Sequence, residues 1–264
     1  MSDPVSPEPA PLRVEVRDAV AEILFDRPPV NALTDRTLAE LLAALERARD
    51  DHRVRAVIVG SAVPDRFCAG LDLKALRRTD AAGAHATLHA LYARLTDLQF
   101  GLGKPSIAAV GGAVRGGGIT VAISCDLIVA DASADFGYPE IDVGLLPAIH
   151  YTHLHRIVGR YRAFDLLFTG RTFTAQEAHA IGLVSRLAPA GGALEQARAI
   201  ARGLAAKSPQ LMRRGKAAFV AGIDAGYRQG VSAAVDLLAS VLPLEDSREA
   251  LAAFEERRRP TWRD

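Results

Sequence analysis

Cysteine is scarce in this sequence of 264 residues, which contains two cysteines. The two thiols, Cys68 and Cys125, are too few for a disulfide framework or for a zinc site built on cysteine. The sequence therefore predicts a protein of a reducing compartment. We expect a cytoplasmic location and no bound metal.

Long apolar runs and an excess of one charge are also missing. No stretch approaches the ~18 uninterrupted apolar residues that a membrane-spanning helix requires. Lysine and arginine number 32 against 31 aspartates and glutamates, which gives a net charge of +1. So balanced a charge creates no field that favours nucleic acid or an anionic membrane. We expect neither partner, and interpret the basic residues 257–259 as a solvated helix end.

The first residues lack the pattern of a folded segment. Residues 1–12 contain four prolines, and they have neither the basic start nor the apolar stretch of a signal peptide. We predict a disordered, proline-rich tail. The whole chain is 49% hydrophobic and 24% charged, the balance of an ordinary protein with a sizeable core.

From residue 13 to 192, strand-like and helix-like segments alternate. The runs VEV and AEILF flank Arg17 and Asp18, which predicts a hairpin. Thr34 and Asp35 can cap an amphipathic helix. Nearly continuous apolar runs predict buried strands at residues 54–59, 106–110, 126–130 and 182–187. The alternation indicates an α/β fold.

The strand pattern stops after residue 192. Residues 193–207, 209–225 and 231–242 carry helix formers with periodic apolar positions. Asp246 or Ser247 is expected to cap a final helix. The sequence therefore predicts a helical region over residues 193–264.

Two glycine-containing segments suggest binding through the backbone. In RFCAGLDLK, residues 66–74, Gly70 allows a ligand to approach the chain closely, and Asp72 can anchor the loop by hydrogen bonds. In GGAVRGGGIT, residues 111–120, three glycines open an apolar helix and present bare N–H groups at its positive end. This pattern suits an oxyanion better than a nucleotide, because Gly117 stands where a P-loop has lysine. A glycine turn and tight helix packing remain the alternatives for the two segments.

Two further segments carry titratable side chains. Glu140 follows a proline in FGYPE, between Tyr138 and an isoleucine, where partial burial would raise its pKa as a general base requires. An exposed glutamate is the alternative. The run HYTHLH, residues 150–155, lacks a clear carboxylate ligand for a metal, although His150 can reach a cleft. Cys68 has no histidine placed to activate it and is interpreted as a small buried residue. No GxSxG elbow indicates a serine hydrolase.

In this order, the segments resemble the enoyl-CoA hydratase/isomerase family, the crotonase superfamily, over nearly the whole chain. The ordered set is specific, whereas each piece alone is weak. The stretches that carry the similarity are RPPVNAL, RFCAGLDLK, KPSIAAVGGAVRGGG, CDLIVADASADFGYPEIDVGLLP, FTGRTFTAQEAHAIGLVSRL and EDSREALAAFEERRRPTW.

The resemblance implies a spiral of ββα units over residues 13–192, holding an acyl-CoA site. It also implies a helical region over residues 193–264 that packs homotrimers, often paired into hexamers. The substrate would be an acyl-CoA thioester, so coenzyme A would enter with the substrate and no separate cofactor is expected.

The resemblance also assigns residues to the thioester. The backbone amides of Leu71 and Gly117 would hold its carbonyl oxygen, and Glu140 would transfer protons. The residues implied in binding coenzyme A, with Phe254 reaching the coenzyme A of a neighbouring subunit, are Arg27, Cys68, Ala69, Gly70, Lys74, Gly116 and Phe254.

One position departs from the family pattern. Hydratases of this family carry a second glutamate in the helix after the glycines, where this chain has Thr120. A neutral hydroxyl cannot activate water at neutral pH, whereas one carboxylate can move a proton between two carbons. We therefore favour double-bond isomerisation, with Thr120 only lining the pocket. Hydration stays open if His150, Tyr138 or Thr120 orients the water. Ala148 stands where dienoyl-CoA isomerases add an acid, which disfavours that subclass.

Two hypotheses that assign the protein to other functional classes remain. Loss of one of two acids is a way in which a catalyst becomes a non-catalytic acyl-CoA-binding protein. An RNA-binding role is known for a relative, and the balanced charge speaks against it.

Overall fold

Ten strands form two sheets in the computed structural model of the chain, which describes residues 9–262 apart from the side chain of Tyr227. The strands are β1 Leu12–Arg17, β2 Val20–Phe25, β3 Ala56–Ser61, β4 Arg66–Cys68, β5 Ser106–Val110, β6 Ala113–Arg115, β7 Leu127–Asp131, β8 Asp135–Gly137, β9 Thr172–Thr174 and β10 Arg186–Ala188.

The larger sheet has six strands in the order β1-β2-β3-β5-β7-β10, and the smaller has four in the order β4-β6-β8-β9. From β3 to β8 the chain alternates between the two sheets. Neighbouring strands run parallel except in the β1–β2 and β8–β9 pairs. This alternation confirms the predicted α/β spiral.

Helices connect the strands and then take over the chain. They are α1 Asp35–Asp50, α2 Leu73–Leu76, α3 Ala81–His89, α4 Leu95–Phe100, α5 Gly117–Ser124, α6 His150–Val158, α7 Arg160–Thr169, α8 Ala175–Ala180, α9 Ala193–Ala205, α10 Pro209–Asp224, α11 Tyr227–Val241 and α12 Glu245–Glu255. A π-helical turn, Ala90–Arg94, joins α3 to α4, and a 3₁₀ helix, Pro139–Val143, follows β8.

Alternate residues of the parallel strands supply two apolar cores. In β3, Val57 and Val59 face the main core beneath α1 and the smaller sheet, while Ala56 and Ile58 face the opposite side of the larger sheet. Helix α9 covers that second side with four buried alanines. The helix that begins at the predicted start of the helical region thus packs onto the larger sheet.

The tail prediction for residues 1–12 falls largely on residues 1–8, which lie outside the described part of the chain. Pro11 and Leu12 are buried, and Leu12 already pairs with Phe25 in the first hairpin. The ordered fold therefore begins before residue 13. Among residues 9–262, no helix is both long and apolar enough to cross a membrane.

Two local predictions are wrong. The strand expected at residues 182–187 is shorter, because the amides of Leu183 and Val184 bond back to Ala178 and close the end of α8. The final helix is not capped by Asp246 or Ser247. It begins at Glu245, and the carboxylate of Asp246 instead accepts a hydrogen bond from a buried serine hydroxyl in the turn before α10.

Candidate active site

Two glycine turns meet where the smaller sheet ends. Strands β4 and β6 run parallel with Cys68 opposite Val114, so the loops that follow them leave the sheet side by side. Gly70 has φ +84°, and a Cβ built on it would lie 2.9 Å from the Arg115 carbonyl oxygen and 3.1 Å from the Gly117 nitrogen. Both the dihedral angle and the contact require glycine.

The backbone amides of Leu71 and Gly117, one in each turn, make no backbone hydrogen bond within residues 9–262. Hydrogen bonds to Leu33 fix the backbone on both sides of Leu71. The Gly70 carbonyl accepts from the Leu33 amide, and the Asp72 amide donates to the Leu33 carbonyl. Gly117 is the first residue of α5, whose N-terminal amides carry the positive end of the helix dipole. Two fixed donors in adjoining turns can receive an oxyanion.

The Glu140 carboxyl lies directly against Gly116, the residue before the second free amide. A Cβ on Gly116 would lie 2.8 Å from the Glu140 Cδ. Gly116 also has φ +42°, a backbone conformation that side-chain-bearing residues rarely adopt. The missing side chain leaves the space in which the carboxyl sits.

Glu140 is half-buried, and its Oε2 atom is buried without a hydrogen-bond partner in the described chain. Burial raises the pKa of this carboxyl, and its own backbone amide opposes the shift. A carboxyl with a raised pKa is a stronger base than an ordinary carboxylate and can return the proton that it accepts. The predicted desolvated environment of Glu140 is confirmed.

A cavity of about 430 Å³ opens beside these groups. The glycine turns and Glu140 form part of its wall, and leucines from α2, α3 and the segment after the 3₁₀ helix, with a valine at the end of that helix, form most of the rest. Its lining residues are Ala69, Gly70, Leu71, Leu73, Leu76, Leu88, Tyr92, Arg115, Gly116, Gly117, Pro139, Glu140, Val143, Gly144, Leu145, Leu146 and Ala148.

Three polar side chains stand in this wall: Tyr92, Arg115 and Glu140. Arg115 is occupied by an ion pair with Asp135 and by hydrogen bonds to two carbonyls. Glu140 is the one carboxylate among the described lining residues. Tyr92 was not predicted from the sequence, where its position in a helical segment resembles that of a core residue.

Thr120, Tyr138 and His150 form a buried cluster of their own. Thr120 Oγ1 and His150 Nε2 share a hydrogen bond of 3.1 Å, and the rings of Tyr138 and His150 lie 4.6 Å apart. The Tyr138 hydroxyl and His150 Nδ1 have no partner in the described chain. Burial raises the pKa of Tyr138, with the charge of Glu140 as a second cause.

None of the three lines the cavity. The expectation that Thr120 lines the pocket is therefore wrong, because its hydroxyl is directed to His150. Burial is the main reason why the pKa of His150 falls to about 3. The imidazole is consequently neutral across the physiological range.

The residues expected to contact coenzyme A are more dispersed. Ala69 is exposed at the cavity, whereas Cys68 is fully buried behind it, donates its thiol hydrogen to the Asn31 carbonyl and has a pKa raised to about 12 by burial. Cys68 is therefore a small buried residue, as predicted.

Arg27 and Lys74 lie beside Asp72 in the first turn. The Asp72 carboxylate accepts hydrogen bonds from the Lys74 and Ala75 amides and pairs with Arg27 at 3.4 Å, which confirms Asp72 as the anchor of the loop. The Lys74 side chain is exposed, and Phe254 is exposed on α12 away from the cavity.

Comparison with known proteins identifies this arrangement. The sequence profile of the enoyl-CoA hydratase/isomerase family matches residues 15–264. The chain belongs to this family. A putative enoyl-CoA hydratase of Thermus thermophilus is 37% identical over 95% of the chain and 100% of its own length. A probable mitochondrial enoyl-CoA hydratase 2 of Arabidopsis thaliana is 35% identical over 92% of the chain and 81% of its own length.

A solved structure agrees with the family assignment. The crystal structure of an enoyl-CoA hydratase from Bacillus anthracis superposes with a TM-score of 0.90 at 30% identity, covering 96% of this chain and 98% of that one. The enoyl-CoA hydratase/isomerase family is thus supported by sequence and by fold. The chain is an acyl-CoA enzyme of this family.

Proposed function

We propose that the protein isomerises the double bond of an enoyl-CoA, with Glu140 as its proton-transfer group. The observation that carries the proposal is the single carboxylate among the described residues of the cavity wall, beside two free backbone amides. A single carboxyl suffices for a reaction that only relocates a proton.

The backbone amides of Leu71 and Gly117 would receive the thioester oxygen. Removal of a proton from the α-carbon leaves an enolate whose negative charge gathers on that oxygen. Each preorganised donor of this kind is worth about 3 kcal/mol in the transition state. The helix dipole behind Gly117 adds to the same effect.

Glu140 would take a proton from C2 of a 3-enoyl thioester and form the dienolate. The same carboxyl, now protonated, would return the proton at C4, and the electron pair of the dienolate would form the C2–C3 double bond. Atoms and charge balance without a further reactant. No cofactor is required, because coenzyme A enters as part of the substrate.

Hydration is the second candidate. It is favoured by the names of the two relatives, each of which is described as a probable or putative enoyl-CoA hydratase. It would require water to be activated without a second carboxyl. The neutral Thr120–His150 pair is a weak base, and neither residue lines the cavity, which speaks for isomerisation.

The lining of the cavity supports an apolar acyl group. Leucines from α2 and α3, together with Val143 and Leu146, offer no partner to a polar chain. Gly70 and Gly116 would bind coenzyme A in the turns. Cys68 and Ala69 are proposed to offer backbone groups to its adenine, and Lys74 and Arg27 to face its phosphates.

We also propose self-association as a trimer or hexamer. None of residues 228–241 of helix α11 is buried, and its exposed apolar side chains have no cover within the described chain. A neighbouring subunit would cover them and bring Phe254 towards its own coenzyme A. The two buried free thiols suit a cytoplasmic location.

Turnover of 2-enoyl-CoA and 3-enoyl-CoA substrates in heavy-oxygen water tests the proposal, with mass-resolved products. We expect a moved double bond at unchanged mass. Incorporation of the label would establish hydration instead.

Glu140→Gln should abolish turnover and preserve acyl-CoA binding, since it keeps the shape of the side chain and removes the proton acceptor. Calorimetric titration with acyl-CoA measures the binding, and the product assay measures the turnover. Binding without turnover by the unmodified protein would instead support a non-catalytic acyl-CoA-binding protein.

A further inference from the structure

The wall of the active-site cavity includes apolar side chains that are open to water. Three of its residues are about half exposed: Leu73 at 47%, Val143 at 54% and Leu146 at 58%. We call these three residues the apolar rim. Leu88 and Leu145 of the same wall are less exposed. The apolar surface of the cavity therefore extends from partly buried leucines to side chains in contact with solvent.

Two residues of the rim belong to the segment that also carries the catalytic carboxyl. Val143 ends the 3₁₀ helix that contains Glu140, and Leu146 follows in the next loop. The Leu145 amide donates a hydrogen bond of 2.8 Å to the Glu140 carbonyl. This bond folds the loop back onto the helix and keeps the rim beside the residue that is proposed to move the proton.

The same loop is open on its outer side at Gly144. This glycine has φ +76°, and within residues 9–262 no atom beyond its chain neighbours lies within 4 Å of a Cβ built on it. A closed acyl pocket ends in buried side chains, which limit the length of the chain that fits. Here Val143, Gly144 and Leu146 are all exposed, so the described residues form an open groove at this place.

The chemistry of the wall indicates what covers the rim. The described lining contains no serine, threonine, asparagine or glutamine. A hydroxyl or carboxyl group on the bound chain would lose its hydrogen bonds to water and find few replacements. Several apolar side chains exposed in one cavity wall mark a binding surface for an apolar group. Because the rim lines the same cavity as the two glycine turns, the hydrocarbon part of a bound thioester can cover it.

We propose that the enzyme selects long-chain acyl thioesters over short-chain ones, because a long hydrocarbon chain leaves the cavity across the apolar rim and buries it. The inference deepens the proposed function, since it rests on the binding of the thioester at the glycine turns. A short chain would leave Val143 and Leu146 in contact with water, and an open groove sets no upper limit on chain length.

Binding of saturated acyl-CoA measures this selectivity without turnover. Calorimetric titrations with butanoyl-, hexanoyl-, octanoyl- and dodecanoyl-CoA form the series. A fully buried methylene group strengthens binding about fourfold, and a chain in an open groove is buried in part. We therefore expect the affinity to rise through the whole series, by about a hundredfold from butanoyl- to dodecanoyl-CoA.

Leu146→Ser tests the rim itself, because it removes an apolar contact that only a long chain makes. We expect the ratio of the dodecanoyl-CoA affinity to the butanoyl-CoA affinity to fall about three- to tenfold. Val143→Thr keeps the shape of the side chain and should lower the same ratio. Both side chains are more than half exposed, so neither exchange should cost much stability.

Leu251→Ser is the matched control. Leu251 is 57% exposed on α12 and lies outside the described cavity wall. The exchange removes the same side chain at nearly the same exposure. We expect the affinity ratio of this variant to equal that of the parent protein.

Three results would overturn the inference. An affinity that stops rising at hexanoyl-CoA would mean a closed, short-chain pocket. An affinity ratio that is the same in Leu146→Ser and Leu251→Ser would mean that the chain does not touch the rim. An unchanged ratio together with dissociation of the parent assembly in Leu146→Ser would make the rim a subunit interface. Saturated thioesters have no double bond to move, so a failure of the proposed isomerisation is recognised separately, by the absence of product from enoyl-CoA.

Discussion

Thr120 and His150 share a buried hydrogen bond, with Oγ1 and Nε2 3.1 Å apart and the two residues 3% and 1% exposed. The hydroxyl stands where the family resemblance predicts an acid. Its partner is an imidazole with a depressed pKa, so the pair is neutral. The space that a second carboxylate would occupy in a hydratase is thus filled by a structural contact behind the cavity.

We predict that Thr120→Val destabilises the protein by about 1–3 kcal/mol, because it leaves His150 Nε2 buried without a partner. Thr120→Ser keeps the hydroxyl and should cost less. Urea denaturation measures both. Isomerase activity should stay within about threefold of the parent in each variant, since neither touches Glu140. If the parent and Thr120→Ser formed a hydration product and Thr120→Val did not, the hydroxyl of Thr120 would be shown to orient water.

Stability should fall in mild acid because of His150. Its pKa is lowered from 6.5 to about 3, so the unfolded chain binds a proton between these values and the folded chain does not. Stability from this group is present above pH 6.5 and is lost as the pH falls towards 3. From pH 7 to pH 5 the loss is about 2 kcal/mol.

The comparison of His150→Gln with the parent isolates this contribution. Glutamine cannot titrate, so the difference in unfolding free energy between pH 7 and pH 5 should shrink by about 2 kcal/mol in the variant. His153, whose pKa is also lowered, and Glu140, whose raised pKa acts in the opposite direction, are the same in both proteins. Equal pH dependence in the two proteins would mean that His150 is solvated in the fold.

The periodicity of apolar residues and the helix-capping residues were sufficient to predict many of the helices and strands from the sequence. Thr34 caps α1 through its side chain, and β5 occupies the predicted residues 106–110. Such elements depend on neighbours in sequence. The strand near residue 186 was misjudged because Leu183 and Val184 are apolar for another reason, the closing of a helix end.

The split into two sheets could not be derived from local pattern. Strands β4, β6, β8 and β9 have three residues each, too few for a reliable alternation signal. Yet their pairing brings the two glycine turns together. Only the family resemblance supplied that long-range arrangement.

The site shows the same limit. Glycines and an acid after proline are conspicuous in sequence, so Gly70, Gly117 and Glu140 were found. Tyr92 was not, because its place in the cavity wall depends on a π-helical turn and on packing between distant segments. Its one available signal, a tyrosine among leucines in an amphipathic stretch, fits a core position equally well.

Gly116→Ala should reduce both the activity and the stability, and the loss of activity should exceed that of any variant which is only strained. The new methyl group would meet the Glu140 carboxyl, which has to move from its place. We expect kcat to fall by about a hundredfold or more, as for a displaced catalytic group. The backbone strain at φ +42° should cost about 1–3 kcal/mol. Turnover and urea denaturation measure the two effects.

Gly191→Ala is the control for strain. Gly191 has φ +76°, and a Cβ there would meet nothing within 4 Å. It should lose a comparable stability with unchanged kcat. If Gly116→Ala is as active as this control, the Glu140 carboxyl does not need its present place, and its proposed role is wrong.

Val235→Glu should disrupt self-association. Val231, Val235 and Leu238 lie on one face of α11 by their spacing, and each is more than half exposed, Val235 at 68%. Burial of a glutamate against a neighbouring subunit is costly without a partner charge. We expect the parent to sediment as a trimer or hexamer and the variant to dissociate at least about a hundredfold more readily.

Gln229→Glu adds the same charge on the side of α11 opposite Leu238, as their spacing of nine residues requires, and should leave the assembly intact. The comparison separates a specific interface from a general effect of charge. A parent protein that sediments as a monomer would contradict the proposed assembly. A trimer that persists in Val235→Glu would exclude this face as the interface, because a carboxylate cannot be enclosed there without a measurable loss of affinity.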